Sequence, residues 1–164
     1  MQIESLQDLD LKELRDPYGS EQQLAGWLSK VTEKADLIEL RQALASHLNE
    51  IRSQTTRLEK IFEARGQKPS AREGKALQGI LREADDDIAE AGNAHIRDTV
   101  IVAAMQQVKH FEIAAYGTLH SYATHLDYNQ DARLLQSTLQ EERATDRKLS
   151  EVGLRYLKME TART

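Results

Sequence analysis

The stretch VKHFEIAAYGTL, residues 108–119, decides the fold because it places a glutamate on the apolar face of a long helix. Apolar residues recur here every three or four positions, which is the spacing of one face of an α-helix. Extended in both directions, the same stripe contains Ile101, Met105, Val108, Glu112, Ala115 and Leu119. The pattern predicts a helix over residues 94–126.

Three other long segments carry the same kind of stripe. They predict helices over residues 5–31, 36–65 and 129–157. Ser5 stands three residues before Asp8, which is a capping signal for the first helix. Gly66 and Pro69 end the second helix, since glycine favours the position after a helix and proline cannot continue one.

Residues 67–93 have a different character and predict a shorter amphipathic helix that crosses between two helical hairpins. The predicted fold class is therefore all-α: a four-helix bundle with an additional shorter crossover helix. A length of 164 residues suits one domain with one core, so we predict a single domain over residues 1–164.

Composition excludes several classes of function. The net charge of −5 argues against nucleic acid as a partner, because phosphate binding needs a basic face. The chain has no cysteine, which excludes disulfides, thiolate metal sites and cysteine nucleophiles. No apolar run approaches the roughly 20 residues of a membrane helix. Residues 1–14 alternate charge with leucine and lack the apolar stretch of a signal peptide, so we expect a cytoplasmic protein.

Each long helix carries one glutamate on its apolar stripe, or at the edge of it: Glu21, Glu50, Glu112 and Glu142. Glu21 and Glu50 lie 50 − 21 = 29 residues apart around a predicted turn, and Glu112 and Glu142 lie 142 − 112 = 30 apart around another. In an antiparallel pair of helices, this spacing puts both members at the same height. We therefore expect four carboxylates at the middle of the bundle.

Buried carboxylates need compensation, because an unpaired one costs several kcal/mol. A cation would supply it, and carboxylates suit iron, manganese, magnesium or calcium. The alternative is a polar layer that shares protons or forms salt bridges with Lys109, Arg52 and Arg57. Tyr116 and Tyr18, about one turn from Glu112 and Glu21, are candidates to hydrogen-bond a carboxylate, or they are ordinary packing residues.

At these residues the chain resembles the YciF-type ferritin-like proteins, a bacterial stress-associated family. The most specific matches are residues 108–119 and LLQSTLQEERATDRKL, residues 134–149. HLNEIRSQTTRLEKIFE (47–63) and RDPYGSEQQL (15–24) match in place and order. The resemblance implies a ferritin-like bundle, a homodimer and a di-iron site, with Glu21, Glu50, Glu112 and Glu142 as ligands.

Two departures from the ferritin pattern bear on the metal. That pattern has Glu-x-x-His on two helices, whereas Ser53 and Thr145 stand at the matching positions here. Asp146, Gln54 and His47 are substitute ligand candidates. Lys109 lies one turn before Glu112 and would neutralise an empty site.

Two functions therefore remain open at this point. One is a carboxylate-bridged iron protein of the stress response, with manganese or another divalent cation as alternatives and with oxygen or peroxide chemistry by analogy. The other is a metal-free helical homodimer with a structural or interaction role.

Overall fold

Five helices make up the chain in the computed structural model, which describes the backbone of residues 2–161 and the side chains of residues 2–158. Residues 1 and 162–164 of the predicted domain lie outside this range. The helices are α1 (Leu6–Lys34), α2 (Ile38–Ala64), α3 (Lys75–Glu90), α4 (Ala94–His125) and α5 (Asn129–Thr161). The described residues contain no strand. The predicted all-α class is confirmed, with four long helices and one shorter helix between α2 and α4.

The ends of the helices follow local sequence signals. The Ser5 hydroxyl accepts a hydrogen bond from the Asp8 amide at 3.1 Å and so caps α1. The Asn93 side chain caps α4 in the same way, through the Ile96 amide at 2.9 Å. Gly66 follows α2 at φ 64°, a left-handed conformation that glycine adopts without strain. The predicted starts hold to within two residues, whereas α1 and α5 extend further at their C-terminal ends than predicted.

The apolar core divides into two clusters along the bundle. The cluster towards the α4–α5 turn contains Leu14, Leu58, Ile61, Phe62, Tyr116, Leu119, Ala123, Leu135 and Leu139. The cluster at the opposite end includes Leu24, Leu28, Leu44, Ile51, Ile101, Met105, Val108 and Leu149, together with residues of α3. Buried polar side chains lie at the boundary between the clusters: Glu21, Gln54, Glu112 and Glu142, with Lys109 and His47 beside them.

The boundary residues come from all four long helices. On α1, Glu21 lies between Leu14 and Leu24, which belong to different clusters. On α2, the residue at the boundary is Gln54 rather than the predicted Glu50. The polar layer is therefore present at mid-bundle, and it contains three of the four predicted glutamates.

Candidate metal centre

Lys109 lies at the centre of the polar layer. Its side chain is fully buried, and its Nζ atom lies 2.5 Å from Glu112 Oε2 and 2.6 Å from His47 Nε2. The same ammonium donates to Glu142 Oε2 from across the α4–α5 interface. One cation, supplied by the chain itself, thus contacts two carboxyl groups and an imidazole.

The pKa values of the two carboxyl groups around Lys109 shift in opposite directions. Burial raises the pKa of Glu142, but the charges of Lys109 and His47 and the hydrogen bonds of Glu142 together outweigh burial, so the net shift is downward. Burial also lowers the pKa of Lys109, yet the charges of Glu112 and Glu142 leave it above its ordinary value. Burial raises the pKa of Glu112 well above its usual range, with only partial opposition from Lys109. The Lys109 ammonium therefore favours the ionised form of Glu142, whereas burial favours the protonated form of Glu112.

Glu21 is a carboxyl group that holds its proton at neutral pH. It is fully buried, and burial together with the nearby charge of Glu142 raises its pKa to about 8. The Tyr116 hydroxyl donates to Glu21 Oε1, which is the contact predicted for a tyrosine beside the carboxylate layer. Tyr18, the other candidate, donates instead to Glu59 at 3.3 Å.

His47 connects the centre to the edge of the bundle. Burial lowers the pKa of His47, and the charge of Lys109 lowers it further, so the imidazole is neutral. Its Nδ1 atom lies 3.3 Å from Glu50 Oε2, which also accepts from the Thr145 hydroxyl at 3.0 Å. The bond to His47 lowers the pKa of Glu50. Because Nδ1 is directed at a carboxylate, Nε2 is left facing the centre.

Gln54 holds Glu142 from the other side. Its amide nitrogen donates to Glu142 Oε1 at 2.7 Å and to Glu141 Oε2 at 3.2 Å. Arg57 in turn binds Glu141 through two bonds of 2.6 Å. Of the basic residues considered from the sequence, Lys109 supplies the charge inside the layer, while Arg57 neutralises Glu141 at its rim.

The donor set fits a single divalent cation. His47, Glu112 and Glu142 are buried and each offer a ligand atom within 4.8 Å of the other two. Glu112 Oε1 and Glu21 Oε2 have no hydrogen-bond partner among the described residues, so oxygen donors remain available. Neutral imidazole and carboxylate suit iron, manganese or zinc. One feature opposes the binding of a cation here: the Lys109 ammonium already contacts all three donors.

The predicted ligands divide into three groups in the structure. Glu112 and Glu142 are brought together with His47, which the sequence had offered only as a substitute. Glu21 lies in the same buried layer but outside that compact group. Glu50 lies at the edge with a third of its side chain exposed, and Asp146 lies 3.7 Å from the exposed imidazole of His110. Ligand roles for Glu21, Glu50 and Asp146 stay predictions.

Two buried polar sites outside the centre had no local sequence signal. Asp98 of α4 accepts from the amides of Asp36 and Leu37, at 2.9 and 2.7 Å, and so holds the α1–α2 turn just before α2 begins. Arg65 joins Asp10 of α1 to Asp131 of α5 at one end of the bundle. Both arrangements link positions far apart in the sequence, so periodicity within one helix cannot show them.

Comparison with known proteins places the chain in a family. The family described as "Domain of unknown function (DUF892)" matches residues 5–161. The chain belongs to this family. Protein YciF of Escherichia coli strain K12 is 35% identical over 155 residues, which cover 94% of this chain and 93% of that protein. The resemblance to YciF-type proteins is confirmed.

Solved structures of other proteins share the same arrangement of helices. The crystal structure of the E. coli stress protein YciF has a TM-score of 0.89 at 34% identity, covering 94% of this chain and 98% of that one. YcfI, described as a putative structural protein from Rhodopseudomonas palustris, also has a TM-score of 0.89, at 41% identity over 91% and 95% of the two chains. A Xanthomonas campestris protein at 17% identity, with a TM-score of 0.77 over 97% and 98%, shares the fold. Among the described residues, no helix is long and apolar enough to cross a membrane.

Proposed function

We propose that this protein is a stress-associated helical protein whose buried centre binds one divalent cation, with iron as the expected ion. The observation that carries the proposal is the compact donor group of His47, Glu112 and Glu142 at the boundary of two apolar clusters. The stress association comes from the relative in E. coli, which is described as a stress protein.

One ion is proposed rather than the two of a di-iron centre. A second ion would need further carboxylates close to the first, and Glu50 is directed instead towards His47 Nδ1 and Thr145. Glu21 is engaged by Tyr116 and is protonated at neutral pH. The remaining donors, His47, Glu112 and Glu142, surround a single cation position.

The residues around the donors would orient them. Glu50 fixes the imidazole of His47 so that Nε2 faces the centre, and Gln54 fixes one oxygen of Glu142. Such outer contacts hold metal ligands in place and tune their basicity. Iron, when bound, would supply one-electron redox chemistry towards oxygen or peroxide. The apolar clusters on both sides would limit access of water to it.

Metal binding by the purified protein tests this function. After removal of metals with a chelator, we expect about one manganese(II) or iron(II) ion per chain by calorimetry and elemental analysis, and loss of binding in Glu112→Gln. Glu63→Gln is the matched control, because it removes an exposed carboxylate outside the donor group. Stoichiometry well below one ion, or equal binding by both variants, would contradict the proposal.

The second candidate is a metal-free homodimer with a structural role, favoured by the neutral outer face of α4. Between residues 99 and 125 the only charged residues are Lys109 and Glu112, and both are buried. The exposed side chains of this segment are Ala103, Gln107, His110, Ala114, Thr118, Ser121, Thr124 and His125. A long neutral face is unusual in a chain with 30% charged residues and is typical of a surface that another protein covers.

The oligomeric state tests this second candidate. We expect a dimer by analytical ultracentrifugation, and dissociation in Ala114→Arg, which places a charge on the exposed neutral face. Asp86→Arg on the exposed side of α3 is the control and should leave the dimer intact. A monomeric wild-type protein, or a dimer insensitive to Ala114→Arg, would exclude this face as the interface.

A further inference from the structure

Lys109 has an unusual place for a lysine, since its side chain is fully buried and its ammonium contacts each of the three metal-ligand candidates. We propose that Lys109 is a tethered cation that occupies the divalent-cation position and competes with metal for it. The inference rests on the proposed function and concerns the regulation of that same site. Metal binding would then require the ammonium to leave the three donors.

The geometry distinguishes this role from that of an ordinary salt bridge. A salt bridge needs one carboxylate, whereas Lys109 contacts two and also the nitrogen of a neutral imidazole. Two of these contacts, with His47 and Glu142, are hydrogen bonds of the ammonium, and the third is an ion-pair contact with Glu112. They use the same atoms that would bind a divalent ion. Two cations cannot share so small a set of donors, because their mutual repulsion is strong in a buried site.

The donors do not depend on Lys109 alone for their positions. Gln54 holds Glu142, and Glu50 holds His47, through contacts that do not involve the lysine. Removal of the ammonium should therefore leave at least two of the three ligands in place. Glu112 lies one turn after Lys109 on the same helix and follows the backbone of α4.

The structure also offers a place for the displaced ammonium. Glu50 lies at the edge of the layer with a third of its side chain exposed, and its carboxylate is close enough to Lys109 for their charges to interact. Movement of the lysine towards Glu50 would keep it paired with a carboxylate.

Manganese(II) binding to chelator-treated protein tests the inference, with Lys109→Met and Lys109→Gln compared with the wild type. Lys60→Met is the matched control, since it removes an exposed lysine. We expect both Lys109 variants to bind manganese at least about tenfold more tightly than the wild type, because the competing cation is gone. Lys60→Met should bind like the wild type.

Thermal melting gives a second measurement that does not depend on affinity. In chelator, both Lys109 variants should melt below the wild type, since two buried carboxyl groups lose their counter-ion. Manganese should raise the melting temperature of the variants more than that of the wild type. If a variant is unfolded in chelator, recovery of its helical circular dichroism on addition of manganese supports the inference, and failure to recover overturns it.

The outcomes separate this inference from the proposed function. Equal affinity of wild type and Lys109 variants would overturn the competition and leave the cation site standing. Binding by the variants alone would support the competition and overturn metal binding by the native chain. No binding by any of these proteins would overturn both.

Discussion

Replacement of Glu21 by glutamine should remove a pH-dependent loss of stability. Glu21 is fully buried, and its pKa of about 8 lies above its ordinary value of 4.5. For a carboxyl group with a raised pKa, the folded state holds a proton that the unfolded chain has lost. Stability therefore falls as pH rises between these two values. Glutamine imitates the protonated carboxyl group and can still accept the hydrogen bond from Tyr116.

The size of the effect follows from proton linkage. One pH unit is worth about 1.4 kcal/mol per proton, and about half of the Glu21 protons are lost at pH 8. From about pH 6.5 to about pH 8, the wild type should lose about 1.5 kcal/mol through this group. The lowered pKa values of Glu142 and His47 change the stability below this pH range, and the raised pKa of Lys109 changes it above this range. The raised pKa of Glu112 also makes stability fall as pH rises, but Glu112 is present in both the wild type and Glu21→Gln.

Urea denaturation followed by circular dichroism, in chelator, measures this effect. The free energy of unfolding of Glu21→Gln should exceed that of the wild type, and the difference should grow by about 1.5 kcal/mol between about pH 6.5 and about pH 8. Replacement of the exposed Glu63 by glutamine controls for the loss of one negative charge. A difference that is the same at both pH values would refute the reasoning, because it would mean that Glu21 is not protonated in the fold.

Four further substitutions test the packing that holds the centre in place. Gly19→Ala should destabilise the fold by about 1–3 kcal/mol, because its Cβ would lie 2.3 Å from the backbone oxygen of Arg72. Gly26→Ala has open space around its Cβ and should stabilise α1 by about 0.5–1 kcal/mol. Denaturation curves that shift in the same direction for both variants would disprove this account. Asp98→Ala should cost about 1–3 kcal/mol and should speed hydrogen exchange at the amides of Asp36 and Leu37, so unchanged exchange there would show that these bonds do not hold the turn. Arg65→Met should cost about 3–5 kcal/mol in thermal or urea unfolding, because it leaves two buried aspartates unpaired, and a neutral effect would mean that they are protonated.

Much of the fold could be predicted from single-helix patterns. The stripe through Glu112, the cap at Ser5 and the helix-ending Gly66 and Pro69 are local signals, read over one or two turns, and they identified the helices and most of their ends. The same stripes placed Glu112 and Glu142 inward, where the structure has them. A glutamate in a row of apolar residues can face only the core or its edge.

The arrangement inside the layer depends on how the helices pack, so the sequence could not determine it. Equal spacing from a turn placed Glu50 in the layer, whereas in the structure Gln54 lies buried at the boundary and a third of the Glu50 side chain is exposed. The position of Lys109 one turn before Glu112 indicated a pairing with Glu112. Its simultaneous contact with Glu142 and His47 requires three helices in register, which no pattern in one segment reveals.

The most direct test of the central claim is an anomalous difference map at the manganese absorption edge, from crystals of the protein grown with manganese(II). We expect one peak per chain, within bonding distance of His47 Nε2 and of carboxylate oxygens of Glu112 and Glu142, with Lys109 Nζ moved away from them. An empty centre with Lys109 still bound to all three donors, or two peaks in the layer, would contradict the account.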